Sequence, residues 1–248
     1  MSTLQHIITH GILAAGIFLA AFTWAESPVI LADAVLDSVL AQLPTRPVEA
    51  RGNLLVRKRR GVPIATYKFV LDAHWQDCNT RVAYTILDES GVAIEKLVFT
   101  PGAPTPFTYF QGGDLCLAPL PDLRQNIGRT DLSWGDLTLY FLWWRGARHV
   151  GTESVRGFPC HILAVDAPPD APPGSYASVR LWISKEHGML LQAEGLDEHR
   201  NPVRRLWVQS VRQIENEWMI QTLEVQQSRQ EQRTRLHVLD VNTPTESL

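Results

Sequence analysis

In this chain of 248 residues, 23 Lys and Arg nearly balance 26 Asp and Glu. The resulting net charge of −3 lies too near neutral for a nucleic-acid binder or for a protein held by an anionic membrane surface. With 45% hydrophobic residues the chain can bury a sizeable core as one domain, and its three cysteines permit at most one internal disulfide, leaving one thiol over.

Met1 to Ala25 contains no Lys, Arg, Asp or Glu. Gly11 to Phe22 is an unbroken run of small and apolar residues, shorter than the roughly 20 that a membrane-spanning helix needs. Residues 1–25 therefore read as a secretory signal cleaved after Ala25. Because His6 and His10 stand where Lys or Arg is usual, a retained anchor or a buried core helix remains an alternative. No Cys lies near the junction, so lipid attachment to a new N-terminal Cys is not expected. Residues 26–248 read as a single domain.

Ser27-Pro28 opens a helix with a side-chain cap followed by Pro at its first position. Leu31, Val35, Val39 and Leu43 then form an apolar stripe, broadened by Ala34, Leu36 and Leu40, with Asp33 and Asp37 opposite, and Pro44 ends it. From Val48 the period changes to two. Leu54 and Val56 alternate with Arg51 and Arg57; Tyr67, Phe69, Leu71, Ala73 and Trp75 share one face, followed by Val82, Tyr84 and Ile86. Strands near Ile94–Phe99 and Phe107–Gln111 continue an antiparallel meander with one dry and one wet face.

Leu132 to Trp144 breaks the pattern. Ser133 with Asp136 three residues on forms a capping box with the shorter acid, which favours a helix start. The helix it predicts is apolar on nearly all sides, so protein must cover both its faces or a ligand must cover one. Strands resume at Val150–Val155, Phe158–Val165, Ala177–Ser184, Met189–Leu196, Val203–Ile214, Trp218–Val225 and Thr234–Val241, with a polyproline-like connector at residues 167–174. The predicted architecture is α+β: about eleven or twelve strands in one strongly curved antiparallel sheet, a half-open barrel. An N-terminal helix and an inserted helix accompany it.

No catalytic or phosphate-binding motif is present: there is no G-x-S-x-G, G-x-x-x-x-G-K, H-E-x-x-H or C-x-x-C. The histidines after residue 25 (His74, His149, His161, His187, His199, His237) are scattered singly, and Asp131 and Asp136 read as carboxylates favoured at a helix start. No metal or other cofactor is expected. Arg57 to Arg60 form a basic hairpin tip, either solvated or a docking patch. Cys160 lies within an apolar strand and reads as a small buried residue, which leaves Cys78 and Cys116 for any bridge. The positive signal is a large apolar strand face opposed by apolar helices. Phe69, Trp75, Tyr84, Phe99, Leu137, Tyr140, Phe141 and Trp144 are the candidate lining of a hydrophobic cavity, with Trp182 a further candidate; an ordinary packed core is the alternative.

The order of elements resembles the outer-membrane lipoprotein-sorting proteins, relatives of the periplasmic carrier LolA. The resemblance rests on R-G-x-L-x-x-R in the first strand (Arg51, Gly52, Leu54, Arg57), on G-R-T-D-L-S-W-G-D-L (Gly128 to Leu137) and on G-F-P-C-H-I-L (Gly157 to Leu163). Tyr176 to Lys185 (Y-A-S-V-R-L-W-I-S-K) adds to it, with Ser184 where the family usually has Asp. The resemblance implies helices covering the concave apolar face of the sheet, and no catalytic residues. It also implies a periplasmic monomer binding a lipid or lipoprotein acyl chain, with a membrane-protein donor or acceptor. The alternative from another class is an envelope regulatory or interaction protein using the same fold without ligand transport.

Overall fold

The computed structural model describes residues 31–58, 61–75, 80–214 and 217–243. The proposed signal, the Ser27-Pro28 cap, Arg59, Arg60 and Cys78 lie outside the described residues. Helix α1 (Ala32–Leu40) is followed by strands β1 (Val48–Lys58), β2 (Pro63–His74), β3 (Arg81–Leu87), β4 (Ala93–Phe99), β5 (Phe107–Gln111) and β6 (Cys116–Ala118). After α2 (Trp134–Thr138) and a 3₁₀ turn (Tyr140–Trp143) come β7 (Arg148–Val155), β8 (Phe158–Asp166), β9 (Ser178–Ser184) and β10 (Leu190–Leu196). Strands β11 (Pro202–Ile214), β12 (Glu217–Gln227) and β13 (Gln232–Asn242) complete the order.

All these strands form one 13-stranded antiparallel sheet, in the order β6-β5-β4-β3-β2-β1-β13-β12-β11-β10-β9-β8-β7. The strand beyond the expected number is β6, a three-residue edge too short to show an alternation. Every neighbour is joined by a hairpin except the central pair, where β1 meets β13 with Glu49 opposite Asn242 and Lys58 opposite Gln232. Two meanders thus run outward from the middle, and β6 and β7 form the two unpaired edges of an open sheet. The chain between those edges, residues 119–147, must travel from one to the other. It does so across the apolar face, which is why this segment is buried from Thr130 to Thr138.

The predicted apolar stripe of α1 is buried at Leu36 and Val39 but not at its first member. Leu31 lies in extended backbone before the helix and is exposed, whereas Ala32, Leu36 and Val39 are buried. Asp33 is not directed at water alone: its carboxylate accepts the N–H groups of Gly146 (3.2 Å) and Ala147 (2.8 Å), tying α1 to the end of the crossover.

The single helix expected over Leu132–Trp144 is instead two short pieces. The capping box is present, with the Ser133 Oγ accepting from the Asp136 N–H (3.3 Å) and the Asp136 carboxylate accepting from the Ser133 N–H (2.9 Å). Leu139 then takes a left-handed conformation (φ 50°), ending α2 before the 3₁₀ turn. A continuous helix this apolar would have to bury its whole circumference; the break lets successive large side chains leave in different directions. Ser133→Ala removes the cap and one partner of Asp136, and is expected to cost about 1–2 kcal/mol. A lower urea midpoint at unchanged slope would register it.

Gly52 in the R-G-x-L-x-x-R segment has a packing reason. It stands at a register shift between β1 and β13, and a Cβ there would run into the His237 carbonyl and the Phe69 ring. The missing side chain lets Phe69 of β2 lie flat across β1, with 1% of its surface exposed.

Candidate functional site

Between the sheet and the crossover lies an apolar hollow of about 170 Å³. Phe69 and Leu71 of β2, Tyr84 of β3 and Trp75 just past β2 line one side. The far side is formed by Met219, Ile220 and Leu223 of β12 with Leu236 and Val238 of β13. Leu137 and Leu139 of the crossover roof it, while Leu43, Pro44 and Trp218 surround its end. A second hollow of about 90 Å³ adjoins it beneath α1, sharing Leu43, Leu139, Trp218, Met219 and Ile220 and adding Val39, Leu142, Met189 and Leu190. Trp218, at the start of β12, is 45% exposed and marks where the two open to solvent.

Of the candidate lining residues, Phe69, Trp75, Tyr84 and Leu137 are brought together here. Phe99, Tyr140, Phe141 and Trp144 are not: they pack into an aromatic cluster with Phe107 and Trp143. The Phe99 and Phe107 rings stack at 4.9 Å, and Tyr140 meets Phe107 edge-on at 5.4 Å. This part of the concave face is therefore filled. Trp182 lies on the opposite face of the sheet from Leu181 and Ile183, which belong to the core. Its indole N–H donates to Glu153 (2.8 Å) beside a polar hollow of about 420 Å³. That hollow is larger but polar: Glu224 on its lining accepts from Arg235 (3.1 Å) and Gln209 (3.0 Å), and Arg156 donates to Gln209 Oε1 (2.6 Å).

The crossover is fastened by a buried polar cluster that strand and helix periodicity alone does not announce. Asp136 (0% exposed) and Arg204 of β11 (3%) form an ion pair at 2.8 Å. Asp136 also accepts from the Ser133 hydroxyl (2.7 Å) and the Tyr176 hydroxyl (2.6 Å). The other Arg204 amino group donates to Asn126 Oδ1 (2.6 Å) and the Arg124 carbonyl (3.1 Å). Burial opposes the charge on Arg204, but Asp136 and Tyr176 outweigh it and hold the guanidinium above its ordinary value. Burial, reinforced by Asp136, holds the Tyr176 phenol well above its own. Gly195 of β10 makes room for the Tyr176 ring, which a Cβ there would strike. One signal for Arg204 was available: it shares the inward parity of Leu206 and Val208 along β11.

Nearby, Asp131 accepts from the Thr234 hydroxyl (3.0 Å) while its second oxygen is buried without a partner, and burial raises its pKa. Tyr84 lines the hollow, and its hydroxyl is likewise held high by burial. His149 and His161 meet across β7 and β8 at 3.3 Å, with burial first and Lys185 and His149 next in lowering the pKa of His161. Among the described residues no group of three or more His, Cys, Asp or Glu could hold a metal ion, and no helix is long and apolar enough to cross a membrane. Cys160 is buried and free, as its strand position predicts; Cys116 is free and exposed.

No curated protein matches the chain by sequence. Solved structures do match in fold. A putative outer-membrane lipoprotein-sorting protein domain from Vibrio parahaemolyticus superposes with a TM-score of 0.73 at 14% identity, covering 88% of this chain and 94% of that one. A DUF1329 family protein from Desulfovibrio piger gives 0.70 at 15% identity, with 88% and 95% covered. A LolA superfamily protein from Nitrosomonas europaea gives 0.68 at 12% identity, with 87% and 94% covered. The resemblance read from the motifs is thus borne out as a fold, the open curved sheet with its apolar face covered. A family model described as "Uncharacterized protein" matches residues 119–247, which is the crossover and all of β7 to β13. The chain belongs to that family, and it carries the LolA-like fold of the lipoprotein-sorting proteins.

Proposed function

We propose that this protein is a non-enzymatic carrier that holds an acyl chain of a lipid or lipoprotein while it crosses the periplasm. The observation that carries the reading is the apolar hollow between β2–β3, β12–β13 and the crossover, open at Trp218 and Leu43. An extended apolar ligand gains about 0.8 kcal/mol for each methylene it buries there. The likeness in fold to lipoprotein-sorting domains supports the same reading. Residues 1–25 serve as the export signal, residues 26–248 are the carrier domain, and a membrane protein at either side delivers or receives the ligand. Phe69, Trp75, Tyr84 and Leu137 touch the chain; Phe99, Tyr140, Phe141 and Trp144 hold the crossover that covers it.

The test is native mass spectrometry of protein prepared from the periplasm without detergent, followed by titration with a fluorescent fatty acid. Copurified lipid, or saturable binding of the probe at one site, is the expected result. Protein that is apo and also fails to bind the probe would overturn the carrier. A regulatory or interaction role using the same fold would then take its place.

A further inference from the structure

We infer that the hollow takes a single acyl tail, as in a fatty acid or a lysolipid, and does not take the several tails of a diacyl or triacyl lipid side by side. The inference rests on the acyl-chain reading above and narrows its ligand. The main hollow measures about 170 Å³ and its neighbour about 90 Å³. An engineered cavity of about 150 Å³ takes one benzene, so the two together hold on the order of ten carbon atoms. They also adjoin. Leu43, Leu139, Trp218, Met219 and Ile220 border both, so a tail seated in one can extend into the other.

Among the described residues, the adjoining part of the concave face is already filled. The concave face under β4 and β5 is occupied by the stacked rings of Phe99 and Phe107 with Tyr140 inserted against them. Tyr140 is fixed in turn by Trp144 at 5.3 Å. Lifting this cluster to admit a second tail would expose several buried aromatic side chains at once. One tail threading past Met219 and Ile220 needs no such rearrangement, because unbranched Met side chains re-pack around a ligand readily.

The experiment uses the whole chain after signal removal and competes unlabelled ligands against a fluorescent fatty acid. The competitors are saturated fatty acids of six to sixteen carbons, a decanoyl lysophospholipid and a triacylated lipopeptide. Affinity is expected to rise about fourfold per added methylene and to level off near ten carbons. The triacylated lipopeptide is expected to compete at least tenfold more weakly than decanoate. Decanoate against the lysophospholipid of equal tail length then tells which headgroup the mouth accepts, and tight binding of either supports the inference. Ile220→Phe, which narrows both hollows, is expected to move the plateau to shorter tails. A lipopeptide that displaces the probe as well as decanoate does, or an affinity that climbs steadily to sixteen carbons, would overturn the single-tail inference while leaving the carrier intact. Failure of every competitor and of the probe would overturn both.

Discussion

Arg204→Met is expected to lower the unfolding free energy by about 3–5 kcal/mol, because it strands Asp136 as a buried, uncompensated carboxylate. Neither partner is more than 3% exposed, so water cannot take over the role of the guanidinium. The same substitution removes the donor shared by Asn126 and the Arg124 carbonyl, both in the crossover. Urea unfolding followed by far-UV circular dichroism would measure the loss. Asp136→Leu combined with Arg204→Met should be less destabilised than the two single variants added together, since removing both charges leaves neither unpaired. A single variant that loses less than about 1 kcal/mol would show that the pair does not hold the crossover on the sheet.

Phe69→Ala is the second large effect, and it bears on the ligand as well as on the fold. Removing a phenyl group that is 1% exposed costs about 3–5 kcal/mol, the transfer of the ring plus the space left behind. The cost is expected to stay near the top of that range, because Gly52 beneath the ring carries no side chain that could move into the gap. The ring also borders the hollow, so its loss enlarges that space. The variant should therefore be less stable alone yet gain more in melting temperature than the parent when a longer fatty acid is added, since ligand binding to the folded state stabilises by mass action. Trp75→Ala, at a half-buried position on the same lining, should cost clearly less.

Much of the sheet is legible in the chain because a half-buried strand writes its own face. The alternation of Phe69, Leu71 and Ala73 with Lys68, Val70 and Asp72 gives β2 its inner side without further information. The exceptions have physical reasons. Strand β6 has three residues, two of them exposed, and so has no period to read. The segment around Leu139 is apolar in every direction, so it carries no helical phase that could announce the left-handed break. The stripe of α1 holds at Leu36 and Val39 but fails at Leu31, which lies in extended backbone before the helix and not in its first turn.

The site was half legible for a related reason. Periodicity assigns a side chain to the inner face but says nothing about whether that part of the face is filled. Phe69 and Phe99 occupy equivalent inward positions on β2 and β4, yet one borders a hollow and the other stacks on Phe107. What separates them is the path of residues 119–147, which is set by packing between residues far apart in sequence. Arg204 was within reach of the alternation rule, since an arginine in phase with Leu206 and Val208 demands a buried partner. Its partner, Asp136, has a sufficient role at the start of α2, so the sequence alone does not join the two.

The pairing of β1 with β13 places the first and last strands side by side in the middle of the sheet, with the hairpin series running outward to the edges. In folding, this central seam is the contact of longest range, joining Glu49 to Asn242 only after nearly the whole chain is available. Local hairpins can form in each half early and cheaply, but the seam must meet the entropy of closing one very large loop, a pattern that slows folding. Until it closes, the two half-sheets expose their apolar faces separately. A nascent chain that lacks Gln232–Asn242 therefore leaves one side of β1 unpaired and lacks one wall of the hollow, whereas loss of an outermost strand such as β6 trims only a rim.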